Sequence, residues 1–234
     1  SSGLLTMGAA YAIRVIVVHK SGVAAAGLYQ SAWTAGGRYI GFVLQAMGAD
    51  FYPRLTAVSR DNQECNRLVN EQAQVSLLLA GPGVLATLAI APLVLVLFYS
   101  PAFAGAVGVL RWFCLGLILQ VIAWPMGFVV LAKGEQKIFF WTELVSTAVQ
   151  VGLAWFLVAK FGLVGAGAAF FGLYVWHGLL IYVVVRRLSD FRWSPANRRP
   201  GLIYLSLIAL VFCSFQVLPK WWATGLGTLA TLLG

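Results

Sequence analysis

The sequence predicts an all-α protein, a polytopic transmembrane helix bundle of about seven or eight helices. Hydrophobic residues make up 61% of the 234 residues, charged residues only 10%, and the mean hydropathy is +0.87. A soluble domain carries about 25% charged residues. The apolar residues also occur in runs close to the roughly 20 residues that a membrane-spanning helix needs. We therefore expect an integral membrane protein rather than a soluble one.

Eight apolar segments are predicted to be helices that span or nearly span the membrane. The stretch from Gln72 to Leu110 has no Asp, Glu, Lys or Arg and is too long for one span. The Tyr99-Ser-Pro101 motif predicts the turn that divides it. A proline inside a helix removes a backbone hydrogen bond, so Pro82, Pro92 and Pro125 are expected to kink their helices. The predicted segments are 2–18, 24–49, 73–99, 103–131, 138–159, 162–185, 201–218 and 221–234.

Basic residues are distributed unevenly between the predicted loops. Lys and Arg outnumber Asp and Glu 16 to 7. In a membrane protein such an excess orients the helices, so we expect no nucleic acid partner. If Ser1 is cytoplasmic, ten basic residues fall in inside loops and four in or beside outside loops, which favours this orientation. The inside set is Arg54, Arg60, Arg67, Lys133, Lys137, Arg186, Arg187, Arg192, Arg198 and Arg199; the outside set is Lys20, Arg111, Lys160 and Lys220.

Two polar segments are predicted on the cytoplasmic side: an amphipathic loop at 50–72 and a basic loop at 186–200. In the first, Asp61 and Glu64 have the spacing of a helix capping box, with Asp in place of the usual Ser or Thr. An apolar pair follows, so we predict a short helix lying at the membrane surface. A plain solvated loop is the alternative interpretation.

A cation lies near the middle of the second predicted helix. Ser31, Thr34, Arg38 and Gln45 are 3, 4 and 7 residues apart, which places them on one helix face. Arg at a helix centre costs about 2.5–3.5 kcal/mol on membrane insertion, and this Ala- and Gly-rich helix has little to offset it. We therefore expect Arg38 to face protein or a watery cavity rather than lipid. The G-x-x-x-G spacing at 37–41 would allow another helix to approach closely.

Other predicted helices carry polar residues that are candidates for the same cavity. Arg14 lies midway along the first segment and Gln120 lies in the fourth, while Glu143 and Gln150 share one face of the fifth. Several helices with one polar face each are expected when a bundle surrounds an aqueous cavity.

Structural roles are the alternative for these residues. Arg38 would then pair with Asp50, Glu143 or backbone carbonyls, and Arg14 would reach the membrane interface by snorkelling. Glu143 lies about 9 Å of helix beyond Lys137, close enough to lie near the headgroups. We interpret His177 as a hydrogen-bonded packing residue rather than a proton carrier.

Several common functional sites are absent from the sequence. Cys65, Cys114 and Cys213 stand alone, with no C-x-x-C motif or Cys/His cluster, so neither a metal site nor a disulfide framework is indicated. There is no G-x-x-x-x-G-K-[ST] loop and hence no P-loop ATP site. We expect no metal, no cofactor and no catalytic residues.

Four phrases resemble a known family. GLYQSAW (27–33), DFYPRLT (50–56), IAPLVLVLFYSPAFAGA (90–106) and VLAKGEQK (130–137) are similar to the second half of bacterial polysaccharide biosynthesis proteins. These include the O-antigen flippases of the multidrug/oligosaccharidyl-lipid/polysaccharide exporter superfamily. The resemblance implies about 12 to 14 helices in two bundles, with residues 1–234 forming most of the second. Because the chain begins without Met and its last apolar segment is short, we expect a fragment of such a transporter.

The resemblance also implies a cargo and a location. The cargo would be an oligosaccharide on a polyprenyl pyrophosphate, flipped across the bacterial inner membrane for lipopolysaccharide and other surface polysaccharides. Membrane lipids, a polysaccharide polymerase and a chain-length regulator would be the partners. Two alternatives stay open: a drug or cation exporter of the same superfamily, and an integral-membrane polysaccharide polymerase or ligase.

Overall fold

A computed structural model describes residues 2–233, except for the side chains of Ser2, Lys220 and Leu233; Ser1, from which the topology is predicted, lies outside them. The described residues form nine α-helices and no strand. A six-residue 3-10 helix, Pro101–Ala106, precedes the fifth. The α-helices are α1 Ser2–Ser21, α2 Val23–Ala57, α3 Asn62–Ala89, α4 Ala91–Phe98, α5 Val107–Ala132, α6 Gln136–Phe161, α7 Leu163–Ser189, α8 Pro195–Val217 and α9 Lys220–Leu233. The all-α prediction is confirmed.

Each of the eight predicted segments corresponds to a helix, but one is divided. Segment 73–99 becomes the end of α3 and the short α4, which meet at Ile90. The predicted kink at Pro92 is wrong, because Pro92 lies in the first turn of α4, where its missing N–H costs no hydrogen bond. Pro82 and Pro125 do lie inside α3 and α5, and the predicted turn at Tyr99-Ser-Pro101 is confirmed.

Six helical stretches within residues 2–233 are long and apolar enough to span a membrane, two fewer than the sequence predicted. They are Gly3–Ser21, Asn62–Ala89, Pro101–Ala132, Gln136–Phe161, Leu163–Ser189 and Pro195–Val217. α9 falls short because it has 14 residues. α2 is long enough, but glycines and polar side chains dilute its apolar character; it nevertheless packs within the bundle, against α1, α3 and α5.

Helices α1, α2, α5, α6 and α7 form a ring. α5 also packs against α3, which lies outside the ring. α1 packs on α2 and α6, α6 packs on α7, α7 on α5, and α5 on α2. The α5–α7 interface is the most extensive, because Gly116 accepts the Phe170 ring and Gly167 lies against the Val109 backbone. Outside the ring, α3 packs on α5, α8 and α9. This arrangement packs α5 against α2, α6 and α7.

The segment 50–72 is not a separate loop with its own surface helix. α2 continues to Ala57 and α3 begins at Asn62, so only 58–61 connects them. The predicted cap is nonetheless present, because Asp61 accepts hydrogen bonds from the backbone N–H groups of Gln63 and Glu64. Glu64 pairs with Arg67 instead of completing the capping box. Likewise, only 190–194 of the predicted basic loop 186–200 lies outside α7 and α8.

Three connections are predicted to be cytoplasmic: 58–61, 133–135 and 190–194. All three lie at one end of the bundle. The Lys133 ammonium donates to the Ser59 carbonyl at 2.9 Å and to Asn62 Oδ1 at 2.7 Å. Asn66 at the start of α3 donates to the Ser189 carbonyl at 3.0 Å, which ties the third connection to the same end. This is the arrangement that the predicted topology requires.

Cytoplasmic labelling provides the first prediction. Cys65 is 1% exposed and its Sγ donates to the Val58 carbonyl, so an impermeant thiol reagent should not reach it from either side. We expect a cysteine at the exposed Gln63, in a Cys213→Ala background, to react in inverted vesicles and not in intact cells. If the cysteine reacts in intact cells, the predicted orientation in the membrane is wrong.

Candidate functional site: a polar groove beside α5

A cavity of about 390 Å³ lies between α2 and α5. Gln30, Thr34 and Arg38 follow one another at intervals of four residues along α2 and face Gln120 of α5 across it. We call this space the α2–α5 cavity. Its size is within the range of sites that hold small ligands or ligand headgroups.

The polar groups of this cavity are only partly satisfied within the protein. Gln30 donates from Nε2 to the Thr34 hydroxyl at 3.1 Å, while the buried Gln30 Oε1 has no partner in the described part of the chain. Arg38 makes no ion pair or hydrogen bond with any of residues 2–233, and Asp50, one of the partners that a structural role would give it, pairs with Arg54 instead. The cavity therefore presents an uncompensated cation together with a spare amide oxygen.

A second cavity of about 240 Å³ lies between α5, α6 and α7 and adjoins the first at Gln120, which lines both. Glu143, Tyr174 and His177 supply its polar wall. His177 Nδ1 lies 3.0 Å from the Ser146 hydroxyl, which agrees with our interpretation of His177 as a hydrogen-bonded residue. We call this the α5–α7 cavity, and the two cavities together the polar groove.

Four of the eight predicted site residues line the polar groove: Thr34, Arg38, Gln120 and Glu143. The other four do not. Ser31 is 2% exposed, because it packs away from the groove and donates to its own helix at the Leu28 carbonyl, 2.8 Å away. Gln45 and Arg14 are exposed and Gln150 is half-buried, and none lines either cavity. The predicted single stripe on α2 is thus divided between two faces.

The glycines of the G-x-x-x-G motif border the α2–α5 cavity rather than a neighbouring helix. A Cβ atom built on Gly37 or on Gly41 would meet no atom of residues 2–233 within 4 Å. The expected close helix approach occurs instead at Gly36, where the Leu110 and Leu117 side chains lie 3.2 and 3.3 Å from the built Cβ. The absent side chains at Gly37 and Gly41 enlarge the cavity.

Gln30 and Tyr174 were not predicted to line the groove. Gln30 had a signal in the sequence, because Gln30, Thr34 and Arg38 recur every four residues and so lie on one helix face. Tyr174 had none, because an aromatic residue in an apolar helix is ordinarily part of the core. The described residues contain no group of three or more His, Cys, Asp or Glu placed to hold a metal.

Comparison with solved structures identifies the fold, whereas no protein-family model and no curated protein matches the sequence. A MOP superfamily transporter from Pyrococcus furiosus, described as having a binding pocket of reverse polarity, is 18% identical with a TM-score of 0.65. An outward-facing multidrug resistance MATE family transporter of the MOP superfamily gives the same values. The lipid II flippase MurJ, in an inward closed conformation, is 15% identical with a TM-score of 0.65.

The chain shares the fold of about one half of each of these three transporters. The matches cover 92%, 92% and 97% of this chain but only 51% of each of the three transporter chains. Together with the six spanning stretches, they support a multi-pass membrane protein.

Proposed function

We propose that this chain is the second bundle of a flippase in the bacterial inner membrane. The flippase moves a polyprenyl-pyrophosphate-linked oligosaccharide between leaflets for cell-surface polysaccharide synthesis. In this proposal the polar groove receives the hydrophilic part of the cargo, and Arg38 meets its pyrophosphate. The resemblance of four sequence phrases to polysaccharide biosynthesis proteins and the fold shared with the flippase MurJ support this assignment.

The observation that carries the proposal is the uncompensated charge of Arg38. A guanidinium is always ionised and binds phosphate oxygens through two parallel donors. A pair with one phosphate charge at about 5 Å, at an effective dielectric near 20, contributes about 3 kcal/mol before desolvation. That energy selects an anionic headgroup and still permits release. Gln30 and Gln120 beside it offer amide groups of the kind that bind sugar hydroxyls.

A drug or cation exporter is the second candidate, and Glu143 is the observation that favours it. Glu143 lines the α5–α7 cavity and has no ion pair or hydrogen bond within residues 2–233. A cationic cargo would use this carboxylate, whereas an anionic one would use Arg38. A polymerase or ligase is less consistent with the fold, because the connections at the predicted outer end within residues 2–233 are short and include no long loop for catalysis.

A transport measurement in vesicles distinguishes these candidates. It uses the full-length protein, which means the whole transporter of which this chain is proposed to be the second bundle. A polyprenyl-pyrophosphate oligosaccharide with a fluorescent sugar is incorporated into both leaflets, and an impermeant reductant then bleaches the outer one. The proposal predicts that bleaching proceeds past one half only when the protein is present. Export of a cationic dye with no bleaching beyond one half would favour the cation exporter instead.

Glu143 provides a prediction of its own. As the acidic residue of the groove, it is expected to pair with a cation or carry a proton during the transport cycle. Glu143→Gln keeps the shape of the side chain and removes its charge, so we expect slower flipping at unchanged protein level. The flipping rate is to be measured across a range of pH. If the Glu143→Gln variant flips cargo at the wild-type rate at every pH, the role of Glu143 is structural.

A further inference from the structure

A second, apolar groove runs along the outside of the bundle between α3, α5, α7 and α8. Two adjoining cavities of about 340 and 400 Å³ form it, and Ile122, Trp193 and Leu205 line both. Leu179 and Leu202, which also line it, are largely exposed. We call it the lateral groove. Ala123 and Tyr174 line both the lateral groove and the α5–α7 cavity and so form the partition between them.

The end of the lateral groove that lies at the predicted cytoplasmic surface is basic. Arg198, in the first turns of α8, is exposed and lines the groove. The positive end of the α8 dipole lies at the same place. Segment 186–199 contains five arginines and a single acidic residue, Asp190. An apolar channel thus ends in a cationic mouth at the level where lipid headgroups are expected.

The mouth of the groove is held in place by a polar cluster. The Asn70 side chain accepts from the Ser194 N–H at 2.8 Å and donates to the Arg192 carbonyl at 3.1 Å. Asn197 Nδ2 donates to the Asn70 carbonyl at 2.6 Å. Trp193, between these anchors, lies edge-on to the buried Phe191 with ring centroids 4.9 Å apart. Hydrogen bonds and a ring contact within the protein therefore hold the mouth of the groove.

We infer that the lateral groove binds an anionic phospholipid of the surrounding bilayer. One acyl chain lies along the apolar wall beside Trp193, and the phosphate of the headgroup meets Arg198. The apolar wall matches a hydrocarbon chain, and the cationic mouth matches an anionic headgroup rather than a zwitterionic one. The bound lipid bridges α3, α5, α7 and α8. This site is distinct from the polar groove, and the inference does not depend on what the protein transports.

Trp193 offers a direct readout, because brominated acyl chains quench a neighbouring indole. The full-length protein is placed in vesicles of phosphatidylcholine with increasing fractions of brominated phosphatidylglycerol or brominated phosphatidylcholine. The Trp193 signal is the difference between the wild type and Trp193→Phe. We expect half-quenching at about a fivefold lower fraction of phosphatidylglycerol, since a basic residue near anionic lipid contributes about 1 kcal/mol.

Matched variants distinguish binding at this site from a general attraction of anionic lipid to the basic surface. Arg198→Gln should remove most of the preference, whereas Arg199→Gln, its exposed neighbour that does not line the groove, should keep it. Gly201→Leu fills the groove, where a Cβ would meet no atom of the described residues within 4 Å, and should weaken quenching by both lipids. Gly225→Leu on α9, equally open and outside the groove, should leave quenching unchanged.

Three results would overturn the inference. Equal quenching by the two lipids would remove the headgroup preference. Equal effects of Arg198→Gln and Arg199→Gln would mean that the preference arises from general surface charge and not from a site in the groove. No quenching of Trp193 by either lipid would mean that another part of the protein, and not lipid, fills the groove.

Discussion

Replacing Arg38 with Ala is expected to lower the rate of cargo flipping at least about tenfold while the protein still accumulates in the membrane. Arg38 lines the α2–α5 cavity, is exposed, and has no ion pair or hydrogen bond within residues 2–233, so its removal breaks no polar contact of the described residues. What is lost is a charge-assisted hydrogen bond to the cargo, which contributes about 1.5–3 kcal/mol. The rate is measured by the bleaching assay at matched protein density.

Two variants serve as controls for this prediction. Arg38→Lys should keep part of the activity, because the charge remains while the two-donor fork is lost. Arg14→Ala, which removes an exposed cation that lines neither cavity, should have a much smaller effect. Normal flipping by Arg38→Ala would make Arg38 dispensable, and loss of the protein from the membrane would make it structural.

Filling the α2–α5 cavity is expected to stop transport without unfolding the protein. Gly41→Leu places four carbon atoms where a built Cβ meets no described atom within 4 Å. The substitution also replaces Gly by a better helix former, which favours folding by about 0.8–1.0 kcal/mol at most. We therefore expect an unchanged or slightly raised unfolding temperature together with a flipping rate near that of empty vesicles.

The matched control is Gly152→Leu on α6. Gly152 is exposed, a Cβ there also meets no described atom within 4 Å, and it lines neither cavity. Its substitution should leave flipping unchanged. If Gly41→Leu transports as well as Gly152→Leu does, cargo does not pass through the α2–α5 cavity.

Hydropathy in the sequence predicts most of the helices but not where they break. Each of the eight predicted segments is helical, because apolar length is a local property of the chain, although one of them forms two of the nine described helices. The division of 73–99 at Ile90 depends on how α4 packs against α2 and α5, and on Pro92 beginning a new helix. The extension of α2 and α3 through most of 50–72 was missed because polar residues suggested a loop.

The candidate site could be predicted only in part, because helical periodicity gives a face but not what that face meets. Thr34 and Arg38 share the cavity wall, yet Ser31, close to them on the helical wheel, is turned into protein. Gln120 and Glu143 lie on different helices, and only the packing of α5, α6 and α7 brings them to one groove. The lateral groove is formed by four helices and the 190–194 connection, so no local sequence pattern predicts it.

Cargo protection of a cysteine at position 41 tests the central claim most directly. Gly41→Cys keeps Arg38 and adds a much smaller side chain than Leu, in a Cys213→Ala background where Cys65 and Cys114 are buried. We predict that small water-soluble thiol reagents modify it in the full-length protein, and that a polyprenyl-pyrophosphate oligosaccharide slows this reaction while leaving Gly152→Cys unaffected. A position-41 cysteine that does not react, or reacts at the same rate with and without cargo, would contradict the assignment of the polar groove as the cargo site.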